Sequence, residues 1–164
     1  MKQDRTANVG TIEHRTDSAT DSITTLVASG KPAELPSGEF LTDLARRLSA
    51  DPARTFTSER LYVVLTMSAR LTHNCASYNA DASRVWSDNK NGSWHTRETR
   101  QRTIRDADDL ADYAWDTATE DADRAFALLA PAGESVTAAE LAARVDALRS
   151  AVWTVSDRVL KAVA

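Results

Sequence analysis

The chain has little of what sulfur chemistry, membranes or frequent chain reversals require. A single cysteine, Cys75, excludes an internal disulfide framework, and its apolar neighbours at helical spacing make it a small buried thiol rather than a nucleophile. Only five glycines and four prolines occur in 164 residues. The main breaks fall near Pro32–Pro36, Pro52, Gly92 and Pro131–Gly133, with long uninterrupted stretches between them. No apolar run approaches the ~20 residues of a membrane span. The polar start, Met1-Lys2-Gln3-Asp4-Arg5, lacks the apolar stretch of a signal peptide, so a cytoplasmic protein with no membrane partner is expected.

Chemistry-bearing motifs are equally scarce. The three histidines, His14, His73 and His95, form no ligand spacing, and His73 and Cys75, two residues apart on a helix, face different ways. There is no histidine motif, no nucleophile elbow and no glycine-rich phosphate loop, so no cofactor and no catalytic residue is expected. A net charge of −4 gives no global attraction to nucleic acid or to an anionic membrane, so any such binding must be local.

What the chain does have is helical periodicity. Leu61, Val64, Ser68, Leu71, Cys75, Tyr78, Ala82 and Val85 recur at alternating gaps of three and four, the seam one helix offers another. They predict one long helix from Thr57 or Ser58 towards Asp88. A second stripe comprises Ile104, Ala107, Ala111, Ala114, Ala118, Ala122, Ala125 and Leu129, and a third Leu141, Val145, Leu148, Val152, Val155, Val159 and Val163. The fold class is therefore all-α: a long helical hairpin plus a C-terminal helix forming a bundle, with one or two shorter N-terminal helices.

Local signals set the boundaries. Residues 1–17 read as a mobile polar tail and 18–164 as a single helical-bundle domain. Ser18, Thr20 or Asp21 caps a short helix through Ile23, Leu26 and Val27 that closes at Gly30. Ser37 caps the next, with Phe40, Leu41, Leu44 and Leu48 on one face, ending near Asp51-Pro52. Asn89 to Ser93 reverses the chain, and a second long helix starts near Thr96 and stops before Pro131. Ser135 or Thr137 caps the last helix, Glu140 completing a capping box with Thr137. Trp86, Trp115 and Trp153, on or beside the stripes, are expected to fill core gaps left by alanines.

Two constellations qualify as candidate sites. The hairpin tip carries Lys90, Arg97, Arg100, Arg102 and Arg105 against one acidic residue, Glu98, with Trp94 and His95 beside them. Arginines at a helix start oppose the helix dipole unless an anion compensates, and Arg with Trp suits phosphate contact plus base stacking. Lys90, Trp94, Arg97, Arg100, Arg102 and Arg105 are thus candidates for nucleic-acid or phosphate-ligand binding. The competing account pairs them with the acidic run from Asp106 to Asp123, eight negatives without a positive residue.

That run contains Asp108-Asp109-Leu110-Ala111-Asp112, which resembles the aspartate-rich DDxxD signature of prenyl-diphosphate enzymes. The resemblance covers only these positions, with no second aspartate-rich motif on another helix. It implies a magnesium-dependent enzyme acting on a diphosphate substrate, with Asp108 and Asp112 as metal ligands on one helix edge. Residues Val136 to Val145 resemble the first helix of a helix-turn-helix, but the apolar stripe continues to Val163 without the turn that motif needs. Continuous seams, an alanine-rich central helix and segregated charge favour a non-catalytic helical bundle mediating protein–protein association, with a protein partner or as a homo-oligomer.

Overall fold

The computed structural model describes residues 34–90 and 97–164. The expected N-terminal tail, the short helix through Ile23 and Val27, and the tip of the hairpin with Trp94 lie outside the described residues. Within them are five helices: α1 (Gly38–Ser49), α2 (Ser58–Thr72), α3 (Cys75–Lys90), α4 (Arg97–Leu129) and α5 (Ala138–Val163). Two short strands, β1 (Thr55–Phe56) and β2 (Val136–Thr137), complete the picture.

The two predicted caps that fall among the described residues, at Ser37 and Thr137, form. Ser37 is extended, with φ −65° and ψ 145°, and its Oγ accepts from the Phe40 N–H, so one orphan donor of α1 is satisfied. Thr137 and Glu140 make the reciprocal capping box at the start of α5. Thr137 also belongs to β2, which pairs antiparallel with β1 through Thr55 opposite Thr137 and Phe56 opposite Val136. Ala138 N–H donates to Arg54 O at 2.7 Å and extends that link. The loop after α1 is thereby tied to the start of α5, while Gly38 at the other end of α1 lies beside Val152. The two helices therefore run antiparallel.

The layers follow from the stripes. α1 buries Phe40, Leu41, Leu44 and Leu48 between α5 and α2. α4 packs along α2 and α3, and its small residues Ala111, Ala114, Ala118, Ala122 and Ala125 are buried as the second stripe predicts. One continuous core results. The third stripe is buried only as far as Val155, with Val152 partly so; Val159 and Val163 are exposed. The reason is length: α1 has 12 residues and α5 has 26, so α1 is less than half as long as its partner.

The first long helix is not continuous. It divides at His73 and Asn74, where Asn74 adopts φ 55°, a left-handed conformation that asparagine tolerates better than most residues. The buried line of α2 already departs from the predicted seam before this break. Leu65, Ala69 and Thr72 occupy the core side of α2, while Leu71 and Tyr78, expected on the seam, face out. Cys75 remains buried, its Sγ donating to Ala114 O at 3.4 Å, and burial pushes the thiol pKa up. The tryptophans depart from expectation as well: Trp86, Trp115 and Trp153 are all exposed. Alanines bring the helix axes close and leave no indole-sized gaps between them.

Candidate functional site

Two features stand out, one buried and one exposed. The buried one centres on Asp121 of α4, which is 2% exposed. Its Oδ1 accepts the Ser37 backbone N–H at 2.8 Å, and its Oδ2 accepts the Ser37 hydroxyl at 2.6 Å. His73 Nε2 lies 2.7 Å from the same Oδ2. One carboxylate thus holds the start of α1 and the α2–α3 junction against α4, and a buried charge is tolerable when it is bonded in this way. Serine, histidine and aspartate are all present, but in the wrong order for nucleophilic catalysis. A triad places the imidazole between the hydroxyl and the carboxylate; here the carboxylate lies between them, and Ser37 Oγ is also the helix cap. The geometry is that of a clamp.

The exposed feature is the outer side of α2. Between Arg60 and Arg70 the helix has no charged residue, and Val63, Met67 and Leu71 are 59%, 55% and 54% exposed. They lie four residues apart and form one outward line. Beside this line, α2 meets α4 through a polar and aromatic edge. Tyr62 donates to Asp123 Oδ1 at 3.0 Å and packs edge-on against Phe126, with ring centroids 5.3 Å apart. The Asp123 hydrogen bond, and then its charge, hold the Tyr62 phenol above its ordinary pKa of 10.0. Arg70 lies over Trp115 at 3.9 Å from the ring centroid, a cation–π contact, while its buried Nε has no hydrogen-bond partner.

The sequence-derived candidates are distributed differently. The side chains of Lys90 and Arg97, like Trp94, lie outside the description. Arg100 is half-buried with an unpartnered Nε, whereas Arg102 and Arg105 are exposed. Among the described residues α4 shows an ion pair from Arg124 to Glu120 and none from these three arginines to the acidic run. Asp108 is half-buried and takes the Trp86 indole N–H, 3.2 Å from each carboxylate oxygen, while Asp112 points into solvent. No group of three or more His, Cys, Asp or Glu side chains among the described residues converges as a metal cage would.

Sequence reasoning missed the Asp121 clamp because it treated Asp121 as one more member of a solvated acidic run. One signal was available: Asp121 falls next to Ala122 and three residues after Ala118, on the flank of the buried alanine stripe rather than opposite it. In comparisons with known proteins, the chain matches no family model, and neither curated proteins nor solved structures give a significant match. No helix among the described residues is long and apolar enough to cross a membrane.

Proposed function

We propose that this protein is a non-catalytic helical bundle that associates with protein through the outer face of α2. The observation that supports the reading is the exposed line of Val63, Met67 and Leu71 on a helix whose opposite side is already in the core. A helix apolar all round normally has cover on all sides, and an exposed patch of this kind marks an interaction surface. Tyr62 and Trp115 extend it with the amphipathic rings that interfaces favour.

The test is association measured by light scattering for Met67→Asp and Val63→Asp. Both positions are exposed, so the fold should survive with its melting temperature little changed while association is lost. Association that persists in both variants would sink the assignment of this face.

A second reading, nucleic-acid or phosphate-ligand binding at the basic tip, draws support from Arg102 and Arg105, which are exposed and unpaired with the acidic run. Salt separates the two. A phosphate-driven complex weakens log-linearly with added salt, whereas an apolar contact does not.

A further inference from the structure

The Asp121 clamp marks the level at which two helices of the bundle end together. Ser37, the cap of α1, and His73, the cap at the end of α2, both bond to it. Beyond that level α3 takes over from α2 and continues along α4. No described element takes over from α1. Its start, Gly38, lies beside Val152, and α5 runs on to Val163, about 16 Å further along its axis.

The uncovered stretch continues the face that α1 covers. At 3.6 residues per turn, Val152, Val155, Val159 and Val163 stay in line with Leu141, Val145 and Leu148, and Ser156 and Ala162 flank them without a charge. Arg158 falls on one edge of this line and Trp153 and Leu160 on the other. Asp157 and Lys161, ion-paired at 2.7 Å, fall on the far side. Val155 is 2% exposed, Val159 46% and Val163 83%, so cover gives out along one line as α1 is left behind.

The sequence ahead of α1 has a segment of matching length and pattern. Ala19, Ile23, Leu26 and Val27 fall on one side of the helix expected to close at Gly30, and Asp21, the one charged residue from Ala19 to Gly30, falls on the opposite side. Ten helical residues, Thr20 to Ser29, span about 15 Å. The described chain begins at Glu34, and Leu35 and Pro36 are already buried at the start of α1. Lys31, Pro32 and Ala33 separate Gly30 from that anchor, so Gly30 lies no more than about 14 Å from Glu34 and within reach of the uncovered line.

We infer that residues 19–30 dock on the C-terminal half of α5 and stand there in the place of α1, with Ile23, Leu26 and Val27 over Val159 and Val163. A helix this short is marginal alone, and the α5 line supplies the packing it lacks. So short a tether holds the segment at roughly millimolar effective concentration, which favours it over a second copy for so small a seam. The contact uses no residue of the α2 face and stands or falls apart from it.

Disulfide trapping in the full chain tests the contact. In a Cys75→Ala background, Ile23→Cys or Val27→Cys is combined with Val159→Cys or Val163→Cys, each variant being checked by circular dichroism and melting. At least one pair should close within the monomer, at least about tenfold faster than Thr25→Cys with the same partners, because Thr25 lies on the opposite side of the segment. Amide exchange gives a readout without added cysteines. Ile23→Asp together with Leu26→Asp should speed exchange of the Val159 to Val163 amides at least about tenfold and leave Val145 and Leu148 unchanged. Disulfides that form only between chains identify a second copy as the occupant and overturn the inference. No disulfide within the chain, equal rates for Thr25→Cys and the seam positions, or an α5 end indifferent to the two aspartates overturns it as well.

Discussion

The inner and outer sides of α2 are made of similar residues and meet opposite surroundings. Leu61, Leu65 and Ala69 are buried against α1 and α4, whereas Val63, Met67 and Leu71, two positions away, are exposed. Hydrophobicity alone does not separate them. The difference lies in the partner: the inner side has complementary stripes on two helices, and the outer side has none within the described chain. An apolar side chain reports a need for cover, and only the neighbouring elements show whether the chain itself provides it.

The sharpest way to break this comparison is to truncate one residue on each side. Leu65→Ala should cost about 3 kcal/mol of folding stability through lost contacts and a cavity. Met67→Ala should change the stability of the monomer by no more than about 0.5 kcal/mol. Chemical denaturation at low protein concentration checks both, and similar losses on the two sides would mean that the outer face is covered within the monomer.

The next effect concerns the buried clamp. Asp121→Ala leaves the Ser37 hydroxyl and N–H and the His73 ring without their acceptor and should cost about 2 kcal/mol. Asp123→Ala, two residues on but exposed, should cost little, since solvent replaces its bond to Tyr62. Denaturation of the pair tests whether burial, rather than charge, sets the value of a carboxylate on α4.

At Asn74 the two halves of the broken helix compete. Asn74→Ala should lose about 1 kcal/mol because alanine resists the left-handed conformation, and Asn74→Gly should be nearly neutral. Thermal melts of the two variants check the order; an alanine variant as stable as the wild type would mean that the chain prefers the continuous helix.

The smallest effect is spectroscopic. With Tyr78 and Tyr113 replaced by Phe, the Tyr62 phenol should ionise above pH 10.0, and Asp123→Asn should bring its midpoint down. The sign follows from the carboxylate, which accepts the phenol's hydrogen bond and repels the phenolate. Absorbance titration of the folded protein reads the midpoint, and an unchanged midpoint would remove Asp123 as the cause.

Much of the fold was legible in local sequence. Ser37, Thr137 and Glu140 cap their helices through bonds that span three residues, so their signals survive without knowledge of the rest of the chain. The alanine stripe of α4 was legible for a similar reason, since periodicity is a local property. The break at Asn74 was not, because a single residue's backbone conformation interrupts an otherwise regular pattern. Leu71 precedes that interruption and faces out because the buried residues of α2, Leu61, Leu65, Ser68, Ala69 and Thr72, follow a different line from the predicted seam, whereas Tyr78 follows the break on α3. The clamp was hidden by distance: Asp121 meets His73 across 48 positions and Ser37 across 84. The tryptophans misled because an indole is as compatible with a surface edge, as Trp115 under Arg70 shows, as with a core gap.

The clamp also bears on how the molecule comes apart. Asp121 keeps all its hydrogen-bond partners only while the start of α1 and the α2–α3 junction are both in place, so releasing either one leaves a buried carboxylate with fewer bonds than it has in the closed bundle. Fraying of α1 away from the bundle is thereby coupled to loosening of the helix break. Amides around Phe40 and around Ser77 should accordingly exchange with solvent in the same opening event, as one cooperative unit joined by a side chain rather than by the backbone between them.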